Sequence, residues 1–153
     1  MKRIVSLLLA IVMLLALSAC GGKNAKQVNM DELYQQLLET MPDMILIEDA
    51  DMRLNLMGIR SEDCAQVVTA VCADGLRTDE VWLIEAKDAA ALERISAMAE
   101  NRLFAKGEES ITYSPEQYAV VQKAVTVTEG LYFAMLVSPD VDALKAVVDA
   151  TVK

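Results

Sequence analysis

The chain has 153 residues, 14 Lys and Arg against 23 Asp and Glu, no His, three Cys and a formal net charge of -9. The missing His excludes imidazole acid/base catalysis, Ser-His and Cys-His nucleophile pairs and His-ligated metals, while a pI near 4.5 argues against nucleic acid and against electrostatic docking on anionic lipid. The length suits one domain, yet a mean hydropathy of +0.30 is high for an acidic soluble domain and implies that the apolar residues are concentrated somewhere.

They are concentrated first at the N-terminus. Met1, Lys2 and Arg3 give a positive start, and Ile4 to Leu17 is apolar apart from Ser6. That run falls short of the about 20 residues of a membrane span and fits the core of a signal peptide. Leu17-Ser18-Ala19-Cys20 follows: an aliphatic residue, two small residues able to enter a peptidase cleft, and a thiol. The segment resembles the lipobox of bacterial lipoprotein precursors. That resemblance implies cleavage between Ala19 and Cys20, a thioether-linked diacylglycerol on Cys20, and a membrane partner reached through that lipid. Acyl burial at roughly 0.8 kcal/mol per methylene makes two chains a stable anchor. The chain then divides into a signal peptide (1–19), a lipidated Cys with a flexible Gly- and Lys-containing tether (20–28), and one α+β domain (29–153). Cleavage discards Lys2 and Arg3, so the remainder is more acidic still.

From Asn29 the pattern becomes that of a folded domain. Met30, Leu33, Tyr34, Leu37, Leu38 and Met41 recur at helical spacing, Asn29 and Glu32 have capping-box spacing, and Pro42 stops a helix predicted over 30–41. Residues 43–60 read less simply. Met44 to Ile47 could form a short strand; a short helix capped by Asp51 and ending at Gly58 accounts best for Leu54 and Met57, while the alternation of Met52, Leu54 and Leu56 would also suit an extended segment. Cys64 to Ala73 and Val81 to Ala86 predict a hairpin with a long loop turning at Asp74-Gly75. Leu92, Ile95, Ala99 and Leu103 predict a helix over 88–105, capped by Asp88 and ended by Gly107. Ser114-Pro115-Glu116-Gln117 starts a short helix over 115–122. Ala124 to Thr128 and the wholly apolar Leu131 to Val137 make a second hairpin through Glu129-Gly130. Ser138-Pro139-Asp140 opens a final helix carrying Val141, Leu144, Val147 and Val148. Two hairpins, each followed by a helix, predict an antiparallel sheet of about four strands with helices mainly on one face.

Three stretches, DEVWLIEAKDAAALERI (Asp79 to Ile95), SPEQYAVVQKAV (Ser114 to Val125) and GLYFAMLVS (Gly130 to Ser138), resemble the bacterial lipoprotein family catalogued as domain of unknown function 4358. The resemblance spans roughly residues 30 to 150. It implies a lipobox joined to one domain of this size and, because such proteins come mostly from Gram-positive anaerobes, a place on the outer face of the cytoplasmic membrane. It brings no activity, cofactor or catalytic residue that could be carried over.

The side chains with chemical potential each have a structural reading. Cys64 and Cys72 on one strand would stand roughly 26 Å apart at about 3.3 Å per residue, too far for a disulfide, so two free buried thiols are expected. Met41-Pro42-Asp43-Met44 has the spacing of soft-metal thioether motifs, although flexible core packing explains the methionines as well. The acidic groups Glu48-Asp49-Asp51, Glu62-Asp63 and Glu108-Glu109 lack calcium-loop spacing and read as solvated surface. Ser114, beside Tyr118, reads as a helix cap, and Trp82 as core. No metal, cofactor or catalytic residue is assigned. The expectation is a lipid-anchored extracytoplasmic domain that binds an envelope protein or ligand without catalysis. The alternatives are a small carboxylate-dependent hydrolase and a thiol/methionine redox or copper-binding protein.

Overall fold

The computed structural model describes residues 27–153. The expected cleavage and lipidation positions, Ala19 and Cys20, lie outside them.

The first helix, α1 (Met30–Leu38), starts where Asn29 accepts hydrogen bonds from the Asp31 and Glu32 backbone N–H groups. It stops short of the expected Met41 because Thr40 and Met41 both donate back to the Leu37 carbonyl and close a tighter last turn. Two bonds fix its entry. Val28 N–H donates to the Tyr132 hydroxyl at 3.0 Å, and the Gln66 amide donates to the Val28 carbonyl at 2.9 Å. The short run after Pro42 is a strand, β1 (Met44–Leu46). Helix α2 (Ala50–Met57) follows, capped by Asp49 rather than Asp51; Asp49 accepts from Met52 N–H at 2.7 Å. Gly58 ends it at φ 75°, and a Cβ there would meet Met98 Sδ at 3.0 Å.

A 3-10 turn (Ser61–Asp63) leads into β2 (Cys64–Cys72), which pairs antiparallel with β3 (Glu80–Ala86) as the hairpin predicted. Asp88 caps α3 (Ala89–Tyr113) through Ala91 N–H at 2.8 Å. This helix runs well past Gly107, which does not end it. The next helix, α4 (Pro115–Gln122), folds back against Gly107, where a Cβ would stand 3.8 Å from Gln122 and Tyr118. The glycine therefore marks a helix–helix contact. Ser114 caps α4 as expected, accepting from Gln117 N–H at 3.2 Å. Strands β4 (Val125–Glu129) and β5 (Tyr132–Val137) are joined by Gly130-Leu131, with Gly130 at φ 59°, the positive φ that two-residue hairpin loops require. Helix α5 (Val141–Val152) completes the chain.

The fold is α+β, but the sheet has five strands, in the order β1-β2-β3-β5-β4 and antiparallel throughout. Helices cover both faces, where the sequence pattern predicts them mainly on one. Leu33, Leu37, Leu144 and Val148 of α1 and α5 pack on Val81, Leu83, Ala134 and Leu136. Ala91, Ile95 and Ala99 of α3 pack on Trp82, Ile84, Phe133 and Met135. The reason lies in the two inner strands. β5 is buried along its whole length and β3 at all but Glu85. Alternation sends Val81 and Leu83 one way and Trp82 and Ile84 the other. One helical layer would leave an apolar face in water, at a cost of about 2 kcal/mol for each large side chain exposed.

Gly107 and Gly58 make opposite predictions. Gly107→Ala adds a methyl at ordinary contact distance inside a helix and should raise unfolding free energy by about 0.5–1 kcal/mol. Gly58→Ala places a Cβ at positive φ against Met98 and should lower it by more than about 1 kcal/mol. Urea unfolding of the two variants measures both.

Candidate functional site

The sheet carries one charged residue at full burial. Glu80 opens β3 on the α3 side, has no exposed surface, and is met by two cations one helical turn apart. Arg102 donates to both carboxylate oxygens, at 3.0 Å from Nε and 2.8 Å from the terminal nitrogen. Lys106 Nζ stands 3.0 Å away and also donates to the Thr78 carbonyl. Trp82 Nε1 donates to Glu80 at 2.7 Å. Burial alone would push this carboxyl up; the Arg102 and Lys106 contacts outweigh it and hold it below the usual carboxylate range. A carboxylate this fully paired is fixed as an anion, a structural role. Its sequence signal was the i, i+4 pair Arg102 and Lys106 on the helix that follows the strand.

Asp63 repeats the arrangement at the other end of α3. The Arg94 guanidinium holds its carboxyl below the usual range, with Arg60 assisting. Asp63 is buried, so the expected solvated Glu62-Asp63 pair holds only for Glu62. Asp49 is committed to its cap, while Glu108 and Glu109 are exposed as read.

A polar cleft of about 120 Å³ opens where β1, β2, β3 and β5 end. Thr40, Met41, Asp43, Met44, Cys72, Arg77, Asp79, Ser138 and Asp140 line it. The loop after β2 brings Arg77 across it. Arg77 donates to both oxygens of buried Asp79, at 3.1 and 2.8 Å, and stands 3.6 Å from Asp43. Asp79 is thereby occupied and cannot act as a free general acid. A second void, about 10 Å³ and apolar, lies between α1, α5 and the sheet and is too small for a ligand.

Cys64 and Cys72 are both free and buried, as expected from their places at opposite ends of β2. Burial pushes the Cys64 thiol up, Asp63 adds to the shift, and its sulfur donates to the Arg60 carbonyl; a thiol so placed is a poor nucleophile. Trp82 is core. Met41 sits in the α1-side core with Met44 packed against it, and the same two side chains reach the cleft. Among the described residues no group of three or more Cys, Asp or Glu is placed to hold a metal ion, and no helix is long and apolar enough to cross a membrane.

Outside the cleft the conspicuous surface is the sheet edge. β1 is bonded to β2 through Asp43, Ile45 and Ile47. The backbone groups of Met44 and Leu46 therefore face away from the sheet. Ile45 is 53% exposed, and Leu46, Met52, Leu54 and Leu56 are exposed nearby in the chain.

A family model described as Domain of unknown function (DUF4358) matches residues 39–138, which is 100 of the 153 residues. The match takes in every strand of the sheet, the Glu80 cluster and most of the cleft lining. No curated protein and no solved structure matches the chain.

Glu80→Ala should lower stability by about 3–5 kcal/mol, because it leaves two partly buried cations unpaired. The folded-state pKa of Glu80 lies below its unfolded value of about 4.3. Its contribution is therefore present above that pH and fades as pH falls through the folded value. The gap in urea midpoint between wild type and Glu80→Gln should accordingly narrow below about pH 4.

Proposed function

The chain belongs to the family of that model, and we propose that it is a lipid-anchored extracytoplasmic lipoprotein whose domain is a non-enzymatic binding or scaffold module at the cell envelope. The anchor is read from Leu17-Ser18-Ala19-Cys20 behind a positive start and an apolar core. The binding role rests on one observation: the open β1 edge, with its apolar side chains in water. A free strand edge is a template for pairing, and soluble proteins ordinarily blunt it with Lys, Pro or a covering loop. Here Met44-Ile45-Leu46 has neither Lys nor Pro inside it, and the exposed apolar residues of α2 follow in the chain. Acidic residues flank the stretch: Asp43 before it, Glu48, Asp49 and Asp51 after it. The complement of that surface is an extended segment with apolar side chains and basic flanks. Acidic flanks on both strands disfavour pairing of two copies.

Two outcomes are expected. Cys20→Ala should abolish fatty-acid labelling and release the protein from the membrane; retention with unchanged labelling would sink the anchor. Ile45→Lys with Leu54→Lys should leave thermal unfolding within about 1 kcal/mol of wild type, as surface changes do, while removing the envelope proteins that cross-link to the native chain. Unchanged cross-linking would remove the edge as the binding surface.

A further inference from the structure

We propose that the cleft at the end of the sheet is a binding site for a soft monovalent cation, Cu(I), held by the Cys72 thiolate and the Met41 and Met44 thioethers. Met41, Met44 and Cys72 all line the same cleft. Met44 and Cys72 are directly opposite across β1 and β2. The flanking pairs, Asp43 with Ala73 and Ile47 with Thr69, carry the ladder bonds, so the Met44–Cys72 pair is of the non-bonded kind, with Cα atoms about 4.5 Å apart and side chains on one face. Met41 enters from the turn after α1, on the face where Met44 packs.

Cys72 is 7% exposed. Its thiol makes no hydrogen bond among the described residues, whereas Cys64 bonds the Arg60 carbonyl. A buried thiol without a hydrogen bond at the wall of a polar cleft is the donor such a cation needs, and Arg77, in electrostatic reach of Cys72, favours its thiolate form. The cleft charge agrees: Asp43, Asp79 and Asp140 against Arg77 alone. A thiolate and two thioethers select Cu(I) over harder divalent ions. On binding, the Cys72 S–H bond breaks, a sulfur–copper bond forms and the proton passes to water, with no electron transferred.

The test uses the full chain in detergent with Cys20→Ala, so that Cys64 and Cys72 are the remaining thiols. Cu(I) is titrated anaerobically against the chromogenic chelator bicinchoninate. One Cu(I) per chain is expected. Cys72→Ser should abolish competition with the chelator. Met41→Leu and Met44→Leu, which conserve core volume, should each weaken binding by more than about tenfold, a loss that even outer groups of metal sites produce. Cys64→Ser should bind as the parent does. Binding that survives Cys72→Ser, that is unmoved by both methionine changes, or that follows Cys64 overturns the proposal. The methionine variants keep the test decisive should Cys72→Ser fold poorly. Because the cleft and the β1 edge are probed by different substitutions, loss of the copper site leaves the envelope-binding reading standing.

Discussion

A carboxylate stays ionised inside a protein only where cations stand against it, and Glu80 places that demand at one end of the sheet's central strand. β3 lies between β2 and β5, so whatever satisfies Glu80 must arrive from a face. Arg102 and Lys106 arrive on α3, and they can do so only if α3 lies across β3 and continues beyond its first three turns. The length of α3 and the layer it forms both follow. Arg94 fixes the near end of the helix on Asp63, so three ion pairs to two buried carboxylates set its position along the sheet while Ala91, Ile95 and Ala99 set its distance from it. Trp82 packs beneath that stripe and bonds Glu80, two residues before it on the same face of β3.

What could be read from the sequence was what depends on neighbours in the chain. Asn29, Asp88 and Ser114 cap helices because their side chains reach N–H groups two or three residues on. Gly130 turns a hairpin because its own φ must be positive. The Cys64–Cys72 separation followed from strand geometry alone. Gly107 was misread because the residues that explain it, Tyr118 and Gln122, belong to another helix. Cover mainly on one face understates the α3 layer, and the wholly apolar run of β5, which suits a strand covered on both sides, is the sequence feature that points to it. β1 is ambiguous in the sequence because three residues carry no periodicity. Glu80 is not legible as a buried charge from its own strand, since a Glu at the edge of an apolar run looks like a surface residue until a helix covers it; only the Arg102 and Lys106 pair on α3 hints at it.

The same distinction separates the two surfaces. The edge strand could be suspected from Met44-Ile45-Leu46 once a sheet was assumed. The cleft depends on register. A shift of one residue between β1 and β2 would turn Met44 away from Cys72 and present Ile45 in its place. Both surfaces are built on one three-residue strand, whose outer side offers backbone and whose end offers sulfur.

The bonds that hold Val28 have a mechanical meaning. Val28 is tied to Tyr132 at the start of β5 and to Gln66 near the start of β2, the two strands on either side of β3. A pull on the chain ahead of Gln27 therefore loads the interior of the sheet before it can unwind α1. The two strands share that force. The cleft lies at the far end of β2, about 20 Å from Gln66 at about 3.3 Å per residue. A domain loaded at one end in this way turns to align with the force, and it carries its cleft at the end that leads away from the loaded one.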